Sequence, residues 1–154
     1  MSSPLPFTLI SSNIKQNCTA LFKVLFRVPD VEKVSISGLK GLEYQDKTLE
    51  GVPTITEERE DVSLAGWTDR VYLGSSDEQV ISGTQGGKIV FKKKNLADTV
   101  VWNPWEKKAG EMGDLGSENW SGFICVEAGQ CVEPVKLGPG ETWQGGHVLE
   151  YVKE

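Results

Sequence analysis

The segment GFICVEAG, at residues 122–129, contains one carboxylate among apolar residues. Alternate side chains of a β-strand point to opposite faces, so Phe123, Cys125 and Glu127 are predicted to share one face. Burying a carboxylate is costly unless it is paired with another group or held ready to exchange a proton. Glu127 is therefore a candidate general base, and a structural pair is the alternative interpretation.

Two further segments contain side chains that could bind a polar ligand. In TDRVYL, Asp69 precedes a predicted strand, where it is either an ordinary turn residue or an acceptor for ligand hydroxyls. In VVWNPW, Trp102 and Trp105 flank Asn103 and Pro104, which predict an extended turn. The tryptophans either close the edge of a core or, beside the amide, hold a sugar through its apolar C–H face.

The other reactive side chains lack partners at a suitable spacing. His147 is the single histidine, so neither a metal site nor a proton relay is indicated, and a structural or surface role is favoured. The three cysteines, Cys18, Cys125 and Cys131, lack metal-ligand spacing and fit free thiols in a reducing compartment. The sequence contains no nucleophile elbow and no phosphate-binding loop.

The bulk composition restricts the class of protein. The chain has 154 residues, 38% of them hydrophobic, which is enough for one domain with a packed core. Its formal net charge of −6 argues against a binder of duplex nucleic acid, which needs a basic surface. No segment approaches the roughly 20 apolar residues that cross a bilayer, and the first residues make a poor signal peptide. We therefore expect a cytoplasmic protein that binds neither nucleic acid nor membrane.

Short β-branched and apolar runs separated by turn residues predict an all-β protein. Strands are predicted at 34–36, 70–73, 79–82, 88–91, 99–102, 122–128, 134–137 and 148–152. Residues 83–87, three of them glycine, predict the loop of a hairpin. The stretch from Pro104 to Asp114 predicts one or two helical turns, because glycines interrupt it. The acidic cluster within 57–61 is interpreted as an exposed loop.

Four stretches, in the same order along the chain, resemble the hexose-6-phosphate mutarotases, or glucose-6-phosphate 1-epimerases, of the galactose-mutarotase-like group. They are FRVPDVEKVSISGLKGLEYQDK at 26–47, TDRVYL at 68–73, VVWNPWEKKAGEMGDLG at 100–116 and SGFICVEAGQCVEPVKLGPGETWQGG at 121–146. The resemblance implies an antiparallel β-sandwich of the galactose-mutarotase-like supersandwich type. This chain is expected to form its C-terminal part, with at most one short helix.

The resemblance also implies a reaction and the residues that perform it. Members of this family interconvert the α and β anomers of a hexose 6-phosphate in an open cleft, without cofactor or metal. The glutamate that matches Glu127 is the general base for the anomeric hydroxyl, and the aspartate that matches Asp69 contacts sugar hydroxyls. Apolar neighbours disfavour the charged form of a glutamate, which raises its proton affinity toward the working pH.

Two departures from the family's pattern set further expectations. The family's acid histidine corresponds here to Phe22 or Lys23; phenylalanine cannot donate a proton, and an unperturbed lysine is poorly matched to neutral pH. Members of the family carry a further set of N-terminal strands, whereas the resemblance here begins at residue 26, so residues 1–25 are expected to be a divergent leader, disordered or forming one strand, before the sandwich part at 26–154. We therefore expect impaired catalysis, and exposed sheet edges that favour self-association. The alternatives are a non-catalytic carbohydrate-binding remnant and a truncated fragment.

Overall fold

The computed structural model describes residues 5–10 and 16–153, which form two antiparallel β-sheets packed on each other. The strands, in chain order, are β1 Leu5–Ile10, β2 Gln16–Phe22, β3 Leu25–Arg27, β4 Ser35–Ser37, β5 Glu43–Asp46, β6 Thr54–Thr56, β7 Asp61–Val62, β8 Thr68–Tyr72, β9 Glu78–Thr84, β10 Gly87–Lys94, β11 Asp98–Asn103, β12 Phe123–Leu137 and β13 Thr142–Lys153. The helix α1 spans Trp105–Glu111, and short 3₁₀ turns lie at Val31–Lys33 and Trp120–Gly122.

The described strands divide between a first and a second sheet. The first sheet has the order β1-β13-β10-β9-β4-β7; the second has the order β2-β12-β11-β8-β5-β6, with β3 also paired to β12. The hydrophobic core lies between them, where Phe26 meets Phe91 edge to face with ring centroids 6.4 Å apart. The prediction of an all-β sandwich with one short helix is confirmed.

The predicted hairpin is present, but its loop is shorter than expected. β9 and β10 pair as far as Thr84 and Gly87, so only Gln85 and Gly86 form the turn. Gly86 has a φ of 78°, which glycine adopts without steric cost. A side chain at Gly87 would collide with the backbone of Val152 on β13. Glycine at 87 therefore allows close packing within a strand, although the sequence suggested a loop.

Two strand predictions differ from the observed boundaries. The strands predicted at 122–128 and 134–137 are one strand, β12, whose pairing with β2 shifts between Gln130 and Val135. The polar residues between them interrupt the apolar pattern, but the sheet accommodates them as an irregularity. Within the expected leader, the described residues contain two strands, β1 and β2, where at most one was expected. The short strands β3, β5, β6 and β7 were not predicted.

The helical prediction is confirmed in position and length. Pro104 directly precedes α1, and the chain turns to extended backbone at Met112. This short helix brings Met112 to the outer face of the second sheet, where the candidate site lies. Across residues 5–10 and 16–153, no helix is both long and apolar enough to cross a membrane.

The interpretation of the acidic cluster as an exposed loop is wrong for one of its members. Glu58, Glu60 and Asp61 are exposed, but Glu57 is only 3% exposed. Its carboxylate accepts hydrogen bonds from Arg59 and from the hydroxyl of Tyr72, a core residue of β8. Glu57 therefore joins the loop that follows β6 to the core side of the second sheet.

Candidate active site

The strand that contains Glu127 alternates as the sequence predicts. Ile124, Val126 and Ala128 belong to the core between the sheets. Cys125 and Glu127 point to the opposite face of β12, the outer face of the second sheet, where both line a pocket. Glu127 is only 5% exposed, so its carboxylate lies at the base of this pocket and not on an open surface.

The pocket has a volume of about 420 Å³, which suits a small organic ligand. Strands β8, β11 and β12 form its floor, and residues between β2 and β3, after β5 and after α1 form its sides. Its lining side chains are Leu21, Lys23, Val24, Leu25, Lys47, Asp69, Val100, Trp102, Met112, Cys125, Glu127 and Cys131. The floor thus combines two carboxylates with apolar and aromatic surface.

The registers of three neighbouring strands bring Asp69 and Glu127 into the same pocket. On β11, Val100 is opposite Glu127, and Trp102 is opposite Asp69 on the other side. The two carboxylates are therefore diagonal neighbours across β11, with the Trp102 indole beside them on the same face. One bound molecule could contact a carboxylate at each side and an aromatic ring between them.

Burial raises the pKa of the Glu127 carboxyl. The positive charge of Lys23 and a hydrogen bond from the Cys125 thiol act in the opposite direction. The charge of Asp69 adds to the rise. A carboxylate with raised proton affinity is a better base at neutral pH than one in free solution, which agrees with the expectation from its apolar neighbours.

Asp69 is held on β8 by residues on the opposite face of the same strand. Arg70 points away from the pocket and forms an ion pair with Asp46, with Nε and Oδ2 3.1 Å apart. Its guanidinium also lies 4.8 Å from the ring centroid of Tyr44. Burial raises the pKa of Asp69, and the charge of Lys47 opposes this rise. The contacts of Arg70 therefore anchor the opposite face of the strand on which Asp69 lies.

The two cysteines of the pocket are not prepared as nucleophiles. Burial raises the pKa of the Cys125 thiol to about 12 and that of Cys131 to about 11. Thiols with such values stay protonated at neutral pH, and the thiolate is the reactive form. Cys125 instead acts as a hydrogen-bond donor to Glu127.

The predicted grouping of two tryptophans with an amide is only partly observed. Trp102 lines the pocket, whereas Trp105 packs on Trp120 with ring centroids 4.3 Å apart. The amide of Asn103 is fully buried: its Nδ2 donates to the carbonyls of Trp120 and Phe123, at 2.9 and 2.8 Å. Its Oδ1 accepts from the backbone N–H of Trp105. Asn103 therefore shapes the turn after β11 and has no group left for a sugar.

His147 lies between the two sheets, away from the pocket. It belongs to β13 of the first sheet, and its ring centroid is 5.2 Å from that of Phe22 and 5.8 Å from that of Phe91. Burial lowers the pKa of His147. The second sheet separates this imidazole from Glu127. The position of His147 agrees with the structural role that the sequence favours for a single histidine.

Phe22 and Lys23, the two residues that correspond to the acid histidine by resemblance, lie on different faces of the second sheet. Phe22 packs against the core and His147, whereas Lys23 lines the pocket. Lys47 also lines the pocket; it follows β5, and its backbone N–H donates to the Asp69 carbonyl. No sequence pattern marks Lys47, because its position depends on pairing between β5 and β8.

Among the described residues there is no cluster of three or more histidine, cysteine, aspartate or glutamate side chains that could hold a metal ion. The charged groups that line the pocket are two lysines and two carboxylates. These side chains can by themselves accept protons, donate protons and form hydrogen bonds with hydroxyl groups.

Several known proteins with similar sequences carry the name of a carbohydrate epimerase. The profile of the aldose 1-epimerase family matches residues 9–150. A protein from Cenchrus ciliaris, provisionally named glucose-6-phosphate 1-epimerase, is 34% identical over 135 residues, which make up 87% of this chain and 41% of that protein. A protein from Escherichia coli K12 with the same provisional name is 31% identical over 126 residues, covering 77% of this chain and 40% of that protein.

The fold of this chain is also similar to that of solved structures. The crystal structure of a provisionally named mutarotase from Salmonella typhimurium superposes with a TM-score of 0.86 at 23% identity. The match covers 97% of this chain and 50% of that one, and at this identity it shows a common fold. The chain spans about two fifths of the length of the two curated relatives. Because the family profile matches almost the whole sequence, this chain belongs to the aldose 1-epimerase family.

Proposed function

We propose that this chain interconverts the α and β anomers of a hexose 6-phosphate, with Glu127 as the general base and Asp69 as a ligand of sugar hydroxyls. The observation that carries the proposal is that both carboxylates line one pocket, on strands that flank β11. The names of the relatives support a hexose 6-phosphate as the substrate.

The chemistry needs few groups. A cyclic hexose opens when a base removes the proton of the anomeric hydroxyl and the bond between C1 and the ring oxygen breaks. Rotation about C1–C2 and closure on the other face then give the second anomer. Glu127, buried and with a raised pKa, suits the first step. The Trp102 indole offers an apolar surface to the C–H face of the sugar.

The competing interpretation, a non-catalytic carbohydrate-binding remnant, is less well supported. An apolar residue opposite Glu127 would favour the binding remnant, whereas a proton donor at that position would favour an active epimerase. The side chain that lines the pocket is that of Lys23, and Phe22 packs into the core. We therefore expect catalysis, in contrast to the impairment expected from the sequence.

The proposed activity is tested by anomer exchange. The purified chain is mixed with glucose 6-phosphate, and the exchange between the two anomeric protons is followed by NMR line broadening. Exchange above the spontaneous rate is expected, because base and sugar ligand share one pocket. A folded chain, verified by circular dichroism, that gives only the spontaneous rate would overturn the proposed activity.

The role of Asp69 is tested separately by binding. Replacing Asp69 by alanine should weaken the binding of glucose 6-phosphate by about 10- to 100-fold, because hydrogen bonds to a charged group are lost. The fold should persist, since burial of this carboxyl raises its pKa and its ionised form therefore does not stabilise the chain. Calorimetric titration measures the affinity, with Asp61→Ala, an exposed residue of β7, as the control. Unchanged affinity in Asp69→Ala would exclude Asp69 from the site.

A cytoplasmic location and self-association through sheet edges are further parts of this proposal. The outer strands of the two described sheets are β1 and β7 in the first and β2 and β6 in the second. Such edge strands present backbone groups that can pair with another chain. The relatives are about twice as long as the matched region, so they contain additional segments that could pair with these edge strands.

A further inference from the structure

A lysine lies directly opposite Glu127, in the gap between β2 and β3. β12 pairs with both of these strands: Ala128 is opposite Phe22, and Cys125 is opposite Leu25. Two residues separate the paired positions on each side, so the register is the same before and after the gap. Lys23 therefore occupies the position opposite Glu127, although no ladder pair is formed there.

The side chain of Lys23 lies on the same face as the Glu127 carboxylate. Phe22 points inward to the core, and Lys23 lines the pocket on the outer face. Its charge acts on the titration of both Glu127 and Asp69. Lys23 is exposed, so its ammonium group reaches the pocket from the solvent side while the carboxylate lies at the base. A ligand in the pocket would lie between an acceptor below and a donor at the side.

Ring opening of a hexose needs both of these groups. As the base takes the proton of the anomeric hydroxyl, that oxygen becomes a carbonyl oxygen and the C1–O5 bond breaks with its electron pair on O5. The developing alkoxide on O5 must gain a proton, or the ring closes again. An ammonium group is a sufficient donor, because an alkoxide is far more basic than an amine.

We propose that Lys23 is the catalytic acid of this chain and donates its proton to the ring oxygen while Glu127 removes the proton of the anomeric hydroxyl. This inference rests on the proposed function. After ring opening, Lys23 is a neutral amine and Glu127 a carboxylic acid. On ring closure at the other face, the O5 hydroxyl returns its proton to Lys23 and Glu127 gives its proton to the carbonyl oxygen on C1, so the cycle consumes nothing and needs no other reactant.

The first test measures the effect of the Lys23 charge on Glu127 without using activity. The carboxyl carbon of Glu127 is titrated by ¹³C NMR in the wild type, in Lys23→Met and in Lys94→Met, an exposed lysine of the first sheet. The pKa of Glu127 should rise in Lys23→Met, because the charge of Lys23 lowers it in the wild type. It should not move in Lys94→Met. An unchanged titration in Lys23→Met would show that the Lys23 ammonium group does not lie near Glu127 and would overturn the proposal.

The second test measures anomer exchange of glucose 6-phosphate in the same proteins. Lys23→Met should lose about 10²- to 10⁴-fold in kcat, the usual contribution of a general acid, while Lys94→Met keeps the wild-type rate. Lys23→Arg keeps the charge but is a poor proton donor, so its kcat should stay low while its KM is close to that of the wild type. Full activity in Lys23→Arg would overturn proton donation.

A pH profile separates proton donation from a structural role. As the pH is raised, the rate of Lys23→His should begin to fall at a lower pH than that of the wild type, because imidazole loses its proton near pH 6.5 and an ammonium group holds its proton to higher pH. Coincident profiles would overturn the acid role. Wild-type exchange that Lys23→Met leaves intact overturns the inference about Lys23 alone, whereas a folded wild type without exchange overturns the proposed function itself.

Discussion

Replacement of Glu127 by glutamine is expected to abolish most anomer exchange and, at the same time, to stabilise the folded chain at neutral pH. Loss of a general base costs about 10²- to 10⁴-fold in rate. Glutamine has nearly the same shape and keeps one acceptor oxygen for the thiol of Cys125, so the pocket should be preserved. NMR exchange measurements on glucose 6-phosphate at pH 7 compare the rates of the two proteins.

The gain in stability follows from the pKa of Glu127, which burial raises in the folded chain. A carboxyl that binds its proton more tightly when folded opposes folding once it is ionised. This cost is present at pH values above the folded pKa, and it disappears as the pH falls below the ordinary value of 4.5. Glu127→Gln should therefore have the larger free energy of unfolding at pH 7, and the difference should shrink toward zero at pH 4. Urea denaturation at the two pH values measures this change.

Glu133 provides a matched control for both effects. It lies on β12 like Glu127, but it is exposed and outside the pocket lining. Glu133→Gln should keep the exchange rate and the wild-type stability at both pH values. If Glu127→Gln exchanged anomers as fast as Glu133→Gln, Glu127 would not be the base. If Glu127→Gln were less stable than the wild type at pH 7, the Glu127 carboxylate would be paired with another group and would stabilise the fold, which is the alternative interpretation of GFICVEAG.

The face on which Glu127 lies could be predicted because it depends only on local strand geometry. In an extended strand, residues two apart share a face, whatever the rest of the chain does. The same reasoning assigns Cys125 to the pocket and Ile124 to the core, as observed. The helix after Pro104 was predictable for a similar reason, because proline before a short helix-compatible run is a local signal.

The partners of these residues could not be predicted, because they depend on pairing between distant segments. Whether Phe22 or Lys23 is opposite Glu127 depends on the register of β12 with β2 and β3, more than 95 residues away along the chain. A shift of one residue would exchange the faces of the two side chains. The sequence left open whether the segment around Asn103 closes a core edge or holds a sugar, because the partners of Asn103, the carbonyls of residues 120 and 123, lie on a later segment.

Glu57 shows the same limitation for a charged residue. The four residues that follow it, 58–61, are all charged, three acidic and one basic, and this pattern indicates an exposed loop. Glu58 and Glu60 are indeed exposed. The buried partner is the hydroxyl of Tyr72, 2.9 Å from Oε2 and 15 residues later in the sequence. Composition alone cannot indicate such a contact, which forms only when β8 packs beside the loop after β6.

Replacement of Glu57 by glutamine is expected to lower the free energy of unfolding at pH 7 by about 2–3 kcal/mol. Burial alone would raise the pKa of Glu57, but hydrogen bonds from Arg59 and Tyr72 lower it to about 2. The carboxylate accepts from Nε and Nη2 of Arg59 at 2.8 and 2.7 Å. Glutamine would direct an N–H toward one of these donors and leave it unpaired. Urea denaturation at pH 7 measures the loss.

The pH dependence of this loss identifies its cause. A carboxyl with a lowered folded pKa stabilises the fold above its unfolded pKa of 4.5, and this contribution is lost as the pH falls toward about 2. The deficit of Glu57→Gln should therefore shrink between pH 5 and pH 3, whereas Glu58→Gln, at an exposed neighbour, should match wild type throughout. Tyr72→Phe should lose about 1 kcal/mol, since it removes one of the hydrogen bonds. Because Tyr72 and Asp69 lie on the same strand, Glu57 also anchors a strand of the pocket floor. A deficit of Glu57→Gln that did not change with pH would mean that packing, and not charge, accounts for this contribution.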